Sequence, residues 1–277
     1  GGAGTDNEAA LCYGGTASPK AQTESWNGTA WTEVNDLNTG RHSVTGFGTE
    51  TSALATSSDG DSGPRALTET YNGTSWTEVS DLSTGRAGIT GCGTVPAGMV
   101  FGGPVPGGGK TELWNGSSWT ETTDYSIARE VSDNGAGTNN TSALVSTGHI
   151  HPAHSAATEE WAGALTLDVG AWSSGGNLNS ARSQLGGAGA NTEAALAFGG
   201  SPPPAPQAVG ITESYNGSSW TEVSDLNTSR AYVAGAGTYT SAIAAGGDGY
   251  TGAAESWNGS SWTSITNESD GSNAYGS

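Results

Sequence analysis

The sequence is short of cations, of cysteine and of branched aliphatic residues. Its 277 residues carry eight Lys and Arg against 27 Asp and Glu, a formal net charge of −19. A surface that neutralises phosphates needs clustered Lys and Arg, so nucleic acid is not an expected partner. No apolar run approaches the roughly 20 residues that a membrane-spanning helix requires, so membrane insertion is not expected either. Residue 1 is Gly, with no charged and apolar leader, which reads either as a removed leader or as a start inside a longer product. Cys12 and Cys92 stand in different repeats at different repeat positions, so spacing gives a disulfide no support and both read as small buried residues.

Leu, Ile, Val and Phe together number only 34. With so acidic a balance, that composition usually signals disorder. Ten Trp residues contradict it, because large aromatics bury the most area per side chain. All ten fall in copies of W/Y-N-G-[ST]-x-W, at Trp26–Trp31, Tyr71–Trp76, Trp114–Trp119, Tyr215–Trp220 and Trp257–Trp262, with a degraded copy from Trp161 to Trp172. Glu24, Glu69, Glu112, Glu159, Glu213 and Glu255 each stand two residues before the first aromatic. The second tryptophans, Trp31, Trp76, Trp119, Trp172, Trp220 and Trp262, are 42 to 53 residues apart, the length of one propeller blade.

A second half-motif, G-x-G-[TA] followed by an Ala/Leu-rich run, starts at Gly2, Gly46, Gly91, Gly135, Gly187 and Gly235. The run often ends in Gly-Gly; Ser58-Asp59-Gly60 and Thr147-Gly148 stand there in two copies. An Arg lies ten residues after five of the second tryptophans, at Arg41, Arg86, Arg129, Arg182 and Arg230, and Ser272 takes the sixth position. Each unit reads as four strands. The first follows the Arg, the second is the Ala/Leu run, the third carries Glu and the first aromatic, and the fourth begins at the second Trp. Asn-Gly between the third and fourth signals a tight type I′ hairpin, with positive φ at both central residues. Small residues on the first strand let blades crowd a central axis, while tryptophans fill the wider outer gaps.

These units predict an all-β fold, a six-bladed β-propeller occupying 1–277 as one domain. The chain starts inside a G-x-G-T half and ends near the missing sixth Arg. A split closing blade is therefore expected, with 1–34 supplying three strands and about 268–277 the remaining one, so that N- and C-terminal strands pair and close the ring.

The order Arg, small inner strand, Gly-Gly, Glu-x-Tyr/Trp, Trp resembles the kelch repeat over the whole chain. The wording N-G-[ST]-x-W-T-E with G-A-G-T is also similar to repeats of fibre or other structural proteins of marine bacteriophages. The first resemblance implies four-stranded kelch-like blades, and the second a place on a virion. Some kelch-like propellers are copper oxidases that use a Cys joined to a Tyr plus two His, a set that cannot be assigned to residues of this chain.

His149, His151 and His154 form H-x-H-x-x-H in one loop between second and third strands. Alternating imidazoles can jointly hold a transition metal; the alternative reading is a polar loop without one, and no other cofactor is expected. The repeated Arg and Glu read as structural ion pairs, since a catalytic acid or base is rarely copied into every blade. No G-x-S-x-G elbow is present and no acidic partner for a His can be picked out, so the chain is not expected to be an enzyme. Asn-Gly-Ser/Thr at Asn27, Asn72, Asn115, Asn216 and Asn258 is also a glycosylation sequon, which the turn alone explains.

Variation concentrates in the loops between second and third strands, at 16–23, 61–68, 104–111, 149–158, 201–212 and 248–254. All share one face of the ring, and Lys20, Arg65, Lys110, His151, Pro203 and Tyr250 are its candidate ligand-binding residues. The expected function is a non-catalytic binding or structural module of a virion or extracellular surface, contacting a host-surface glycan or protein or a neighbouring virion subunit. A carbohydrate-binding lectin is the second reading and an oxidase-like enzyme the third.

Overall fold

The computed structural model describes residues 1–15, 20–60, 63–104, 109–129, 135–150, 153–163, 170–203, 207–248 and 252–267. Each repeat folds into one four-stranded antiparallel sheet. Blade one is β1 (Gly2–Asp6), β2 (Ala9–Tyr13), β3 (Thr23–Trp26) and β4 (Trp31–Glu33). Blade two is β5 (Thr45–Thr49), β6 (Ser52–Gly60), β7 (Gly63–Tyr71) and β8 (Trp76–Glu78), and blade three is β9 (Ile89–Thr94), β10 (Ala97–Gly102), β11 (Thr111–Trp114) and β12 (Trp119–Glu121). Blade four is β13 (Gly135–Asn139), β14 (Ser142–Ser146), β17 (Thr158–Gly163) and β18 (Gly170–Ser174), with a small hairpin, β15 (His149–Ile150) and β16 (Ala153–His154), inserted before its third strand. Blade five is β19 (Gly186–Asn191), β20 (Ala194–Phe198), β21 (Thr212–Tyr215) and β22 (Trp220–Glu222); blade six is β23 (Ala234–Thr238), β24 (Ser241–Ala245), β25 (Ala254–Trp257) and β26 (Trp262–Ile265). The described residues contain no helix.

The first strand of every blade packs against the first strands of both neighbours, β23 against β1 included, so the ring is closed. G-x-G makes this approach possible. A Cβ on Gly46 would collide with the Tyr13 hydroxyl and the Leu54 carbonyl, and one on Gly235 would collide with the Gly187 carbonyl. The ring closes differently from the expectation. Innermost strands β5, β13 and β23 are five residues long, and Gly2–Asp6 is already such a strand, paired to β2 from Gly2↔Cys12 onward. Among the described residues, blade one therefore has its four strands, innermost strand included, within 1–33. The segment 268–277 assigned to it lies outside the described residues.

Two local readings are also corrected. The Asn-Gly hairpins are four-residue loops, with Trp26 paired to Trp31 and Trp114 to Trp119. Only the glycine is left-handed, Gly28 at φ 85° for example. Asn27 Oδ1 instead accepts hydrogen bonds from the amides of Thr29 and Ala30, both at 3.0 Å, doing with a side chain what a type I′ turn does with backbone angles. In blade two the Gly-Gly position is occupied by Ser57-Ser58, not 58–60. Ser57 at φ 60° adopts the left-handed backbone of Gly14 and Gly199, and its hydroxyl donates to the Arg86 carbonyl.

Tryptophans seal the blade-to-blade contacts twice over. Their rings pack within the cross-strand pairs at 5.0–5.6 Å, and four second-position rings meet Tyr13, Phe47, Phe101 or Phe198 of the preceding blade edge-on. Five of the six second-position indole N–H groups also reach back to a buried Thr hydroxyl on the third strand of the preceding blade. Trp76 donates to Thr23, Trp119 to Thr68, Trp172 to Thr111, Trp220 to Thr158 and Trp262 to Thr212, at 3.0–3.2 Å. The sixth contact, between blades six and one, breaks the pattern. Ala254, paired to Ala245 as Thr23 is to Tyr13, has no hydroxyl, and the buried Trp31 indole nitrogen has no hydrogen-bond partner. A small apolar gap beside it is lined by Ala10, Cys12, Trp31, Ile243 and Ala245.

Candidate functional site

The segments joining consecutive blades are straps whose polar residues are divided between the two sheets. In 36–41, Asp36 accepts from the Thr23 amide of blade one at 3.1 Å. Asn38 donates to Glu69 and to the Trp76 carbonyl of blade two, both at 2.9 Å. Asp81, Asp124 and Asp225 repeat the first role, and Asn179 and Asn227 the second. Each strap ends in an Arg that pairs with the Glu of the blade it enters: Arg41–Glu69 at 2.6 Å, Arg86–Glu112 at 2.9 Å, Arg129–Glu159 at 2.8 Å, Arg182–Glu213 at 2.5 Å and Arg230–Glu255 at 3.2 Å. All ten side chains are at most 5% exposed. Glu24 is buried as well, and the matching Ser272 lies outside the described residues.

Charges buried this deeply are held by multiple bonds or they destabilise. Burial pushes the Glu159 carboxyl up, but hydrogen bonds from Arg129 and Ser126 outweigh it and hold the group below its ordinary value. Burial lowers Arg86 and Arg182 against the opposing pull of Glu112 and Glu213. Satisfaction is uneven. Arg129 and Arg182 also donate through Nε to the carbonyls of Thr147 and Gly199, at 2.5 and 3.0 Å, whereas Arg86 Nε and Nη1 have no partner. This machinery is engaged in holding the ring.

Two residues beyond Arg41, Arg86, Arg182 and Arg230, the chain turns into the innermost strand, and there the straps form the rim of the axial channel. On this side the channel ends at Thr45, Thr90 and Ala234 together with Gly2, Gly135 and Gly187. Its remaining wall is the G-x-G backbone with Ala3, Phe47, Cys92, Ala188 and Ala236. Burial pushes the Cys92 thiol up to about 12, leaving it protonated and unreactive. At the rim, Ser43 (φ 55°), Gly88 (φ 64°), Gln184 (φ 60°) and Tyr232 (φ 57°) occupy the same repeat position, all left-handed. The equivalent stretch of blade four, 130–134, lies outside the described residues.

For Ser, Gln and Tyr that conformation costs of order 1–2 kcal/mol each. The frame enforces it: Tyr232 N donates to the Gln184 carbonyl at 2.7 Å, and Gln184 Nε2 bonds the Tyr232 hydroxyl, joining blades five and six. His42 stands beside Ser43, its Nδ1 3.2 Å from the Ser43 hydroxyl. All four side chains are half-buried. This position is not among the residues expected from sequence, although R-x-[SGQY] followed by a small-residue strand is a readable signal at Arg41, Arg86, Arg182 and Arg230.

Described residues of two variable loops, 16–23 and 201–212, bond to the straps at this rim. Arg41 N bonds the Lys20 carbonyl at 2.9 Å, Arg230 N bonds the Val209 carbonyl at 3.3 Å, and Ser183 pairs with Ser201. Of the candidate ligand-binding residues, Lys20 is half-buried, Pro203 is exposed, and Lys110 is bound to Glu121 at 2.9 Å. Arg65 lies on β7 opposite Ser58. His151 and Tyr250 lie outside the described residues. Among the three hairpin histidines, His149 and His154 are brought together as a cross-strand pair with ring centres 4.9 Å apart. Cys12 and Cys92 are both buried and unbridged.

Comparison with known proteins gives a fold and no more. No family model matches the chain, and no curated protein does. Among solved structures the chain is similar to one titled "Structure of YjhT", at a TM-score of 0.70 and 13% identity over 96% of this chain and 97% of that one. The match extends over almost the whole ring, and at that identity it speaks for the propeller alone.

Proposed function

We propose that this chain is a non-catalytic binding propeller of a virion or extracellular surface, whose rim and surrounding loops contact an uncharged polar ligand, a host-surface glycan first among them. The observation that carries the reading is the rim position itself. One strained backbone conformation recurs at Ser43, Gly88, Gln184 and Tyr232 while the side chain changes each time. Strain maintained at a position that packing alone would fill with glycine is a mark of ligand-contacting residues. The rim supplies a hydroxyl, an amide, an imidazole and a phenol, groups suited to sugar hydroxyls and to stacking on a pyranose face.

A glycan array with the purified protein, repeated with Gln184→Gly and Tyr232→Gly, tests the binding claim. The expected result is a restricted set of glycans, lost in both variants while the fold persists. Binding that is absent, or unchanged by both substitutions, overturns it. The virion claim is tested separately, by finding the chain at fixed stoichiometry in purified particles; its absence from particles that carry its gene refutes that half.

A further inference from the structure

We propose that His149 and His154 form a binding site for a divalent transition metal ion of the zinc, nickel or copper(II) class. The proposal goes beyond the rim reading and does not depend on it.

The two residues are directly opposite in the β15–β16 hairpin, so their side chains leave the same face of a two-stranded ribbon. Their ring centres lie 4.9 Å apart with the planes at 45°, which sets two imidazoles side by side and tilted, as cis ligands of one ion are. The hairpin is pinned at its base. Ser155 N donates to the Gly148 carbonyl at 2.8 Å, Thr147 N donates to the Ala157 carbonyl at 2.9 Å, and Thr147 at φ 66° turns the chain out of β14. A hairpin of two residues per strand has little stability of its own, so this anchorage is what orients the rings.

A second, independent observation points to a ligand. His154 Nδ1 is buried and has no hydrogen-bond partner, a position that costs free energy until something fills its lone pair or takes its proton. Neutral imidazole nitrogen selects zinc, nickel and copper over calcium and magnesium, which take oxygen. Among the described residues no group of three or more His, Cys, Asp and Glu side chains suited to a metal occurs, so His149 and His154 are the ligands the described residues supply.

The test uses the full chain without a histidine tag, titrated calorimetrically with NiCl2 or ZnCl2, alongside His149→Gln, His154→Gln and His42→Gln. One saturable site per chain is expected. His149→Gln and His154→Gln should each lose about tenfold or more in affinity, because removing a ligand costs at least what removing a ligand's supporting partner does. His42→Gln should bind as the parent does. No saturable binding, parental affinity in either hairpin variant, or loss in His42→Gln overturns the proposal. Should a hairpin variant fail to fold, histidine ring NMR on the parent chain decides: zinc must shift the rings of both His149 and His154, and shifts that spare either one refute the site.

Discussion

Ala254→Thr should stabilise the protein, and the reasoning can be followed atom by atom. Five of the six blade contacts carry an indole N–H bonded to a buried Thr hydroxyl, and the sixth leaves Trp31 Nε1 buried without a partner. An orphaned buried donor costs about 1–3 kcal/mol. Ala254 holds the register position of those threonines, so a Thr there places its hydroxyl where Thr23 places the one that meets Trp76. Fixing the new rotamer takes back about 0.5 kcal/mol. The net gain is about 0.5–2.5 kcal/mol, a rise in melting temperature of about 1–4 °C for a chain of this size.

Urea unfolding followed by tryptophan fluorescence measures it, through a raised midpoint at unchanged slope. Ala254→Val is the control, matching the added volume without the hydroxyl. Thr158→Ala is the converse, orphaning Trp220 at a cost of about 1–3 kcal/mol. If Val stabilises as much as Thr, packing and not hydrogen bonding limits the seam. If Thr158→Ala costs nothing, the indole bonds contribute nothing anywhere in the ring and the argument fails.

Replacing Arg129 with Met should destabilise by about 3–5 kcal/mol, since it strands the buried Glu159 carboxylate; Arg86→Met should cost less, because Arg86 Nε and Nη1 already lack partners, and equal losses in urea melts would contradict that ranking. Neither change should alter glycan binding at the rim. Glu159 titrates below its ordinary 4.5 in the folded chain, so its contribution is present above pH 4.5 and is lost as pH falls through the lower folded value. Melts of the parent and Glu159→Gln across pH 2–6 should therefore converge at the acid end, and a constant difference would refute the assignment. Burial and the Glu160 bond push the Tyr215 phenol up to about 12, so an absorbance titration at 295 nm should show one tyrosine ionising near there that disappears in Tyr215→Phe.

Much of this fold is legible in the sequence because its core is made by repetition. The Asn-Gly loops, paired aromatics and G-x-G strands each recur in fixed order, so six sheets follow from spacing alone. Closure is not legible in the same way. The sequence shows that a G-x-G-T half opens the chain but not that Gly2–Asp6 is a whole innermost strand, because strand length there is set by how far neighbouring strands pack around the axis. The Asn-Gly signal misleads for a related reason. Asx hydrogen bonds and a type I′ turn use the same two residues, and the choice depends on whether the flanking aromatics pair across two positions or four.

The site is less legible, and the cause is physical. Residues chosen for packing repeat and announce themselves. At the rim only the backbone repeats: Ser43, Gln184 and Tyr232 share a left-handed φ and no side-chain chemistry. Of the loop residues expected to bind ligand, Lys20 accepts from the Arg41 amide through its carbonyl, and Lys110 is paired with Glu121. Divergent side chains on one repeated, strained frame are what the proposed ligand surface predicts and drifting loops do not. The distinction has a measurable form. Gly at position 184 or 232 relieves backbone strain while enlarging the freedom of the unfolded chain, so stability should change by less than about 1 kcal/mol. Binding should be lost nonetheless. A variant that loses stability and binding together would instead place Gln184 and Tyr232 with the packing residues.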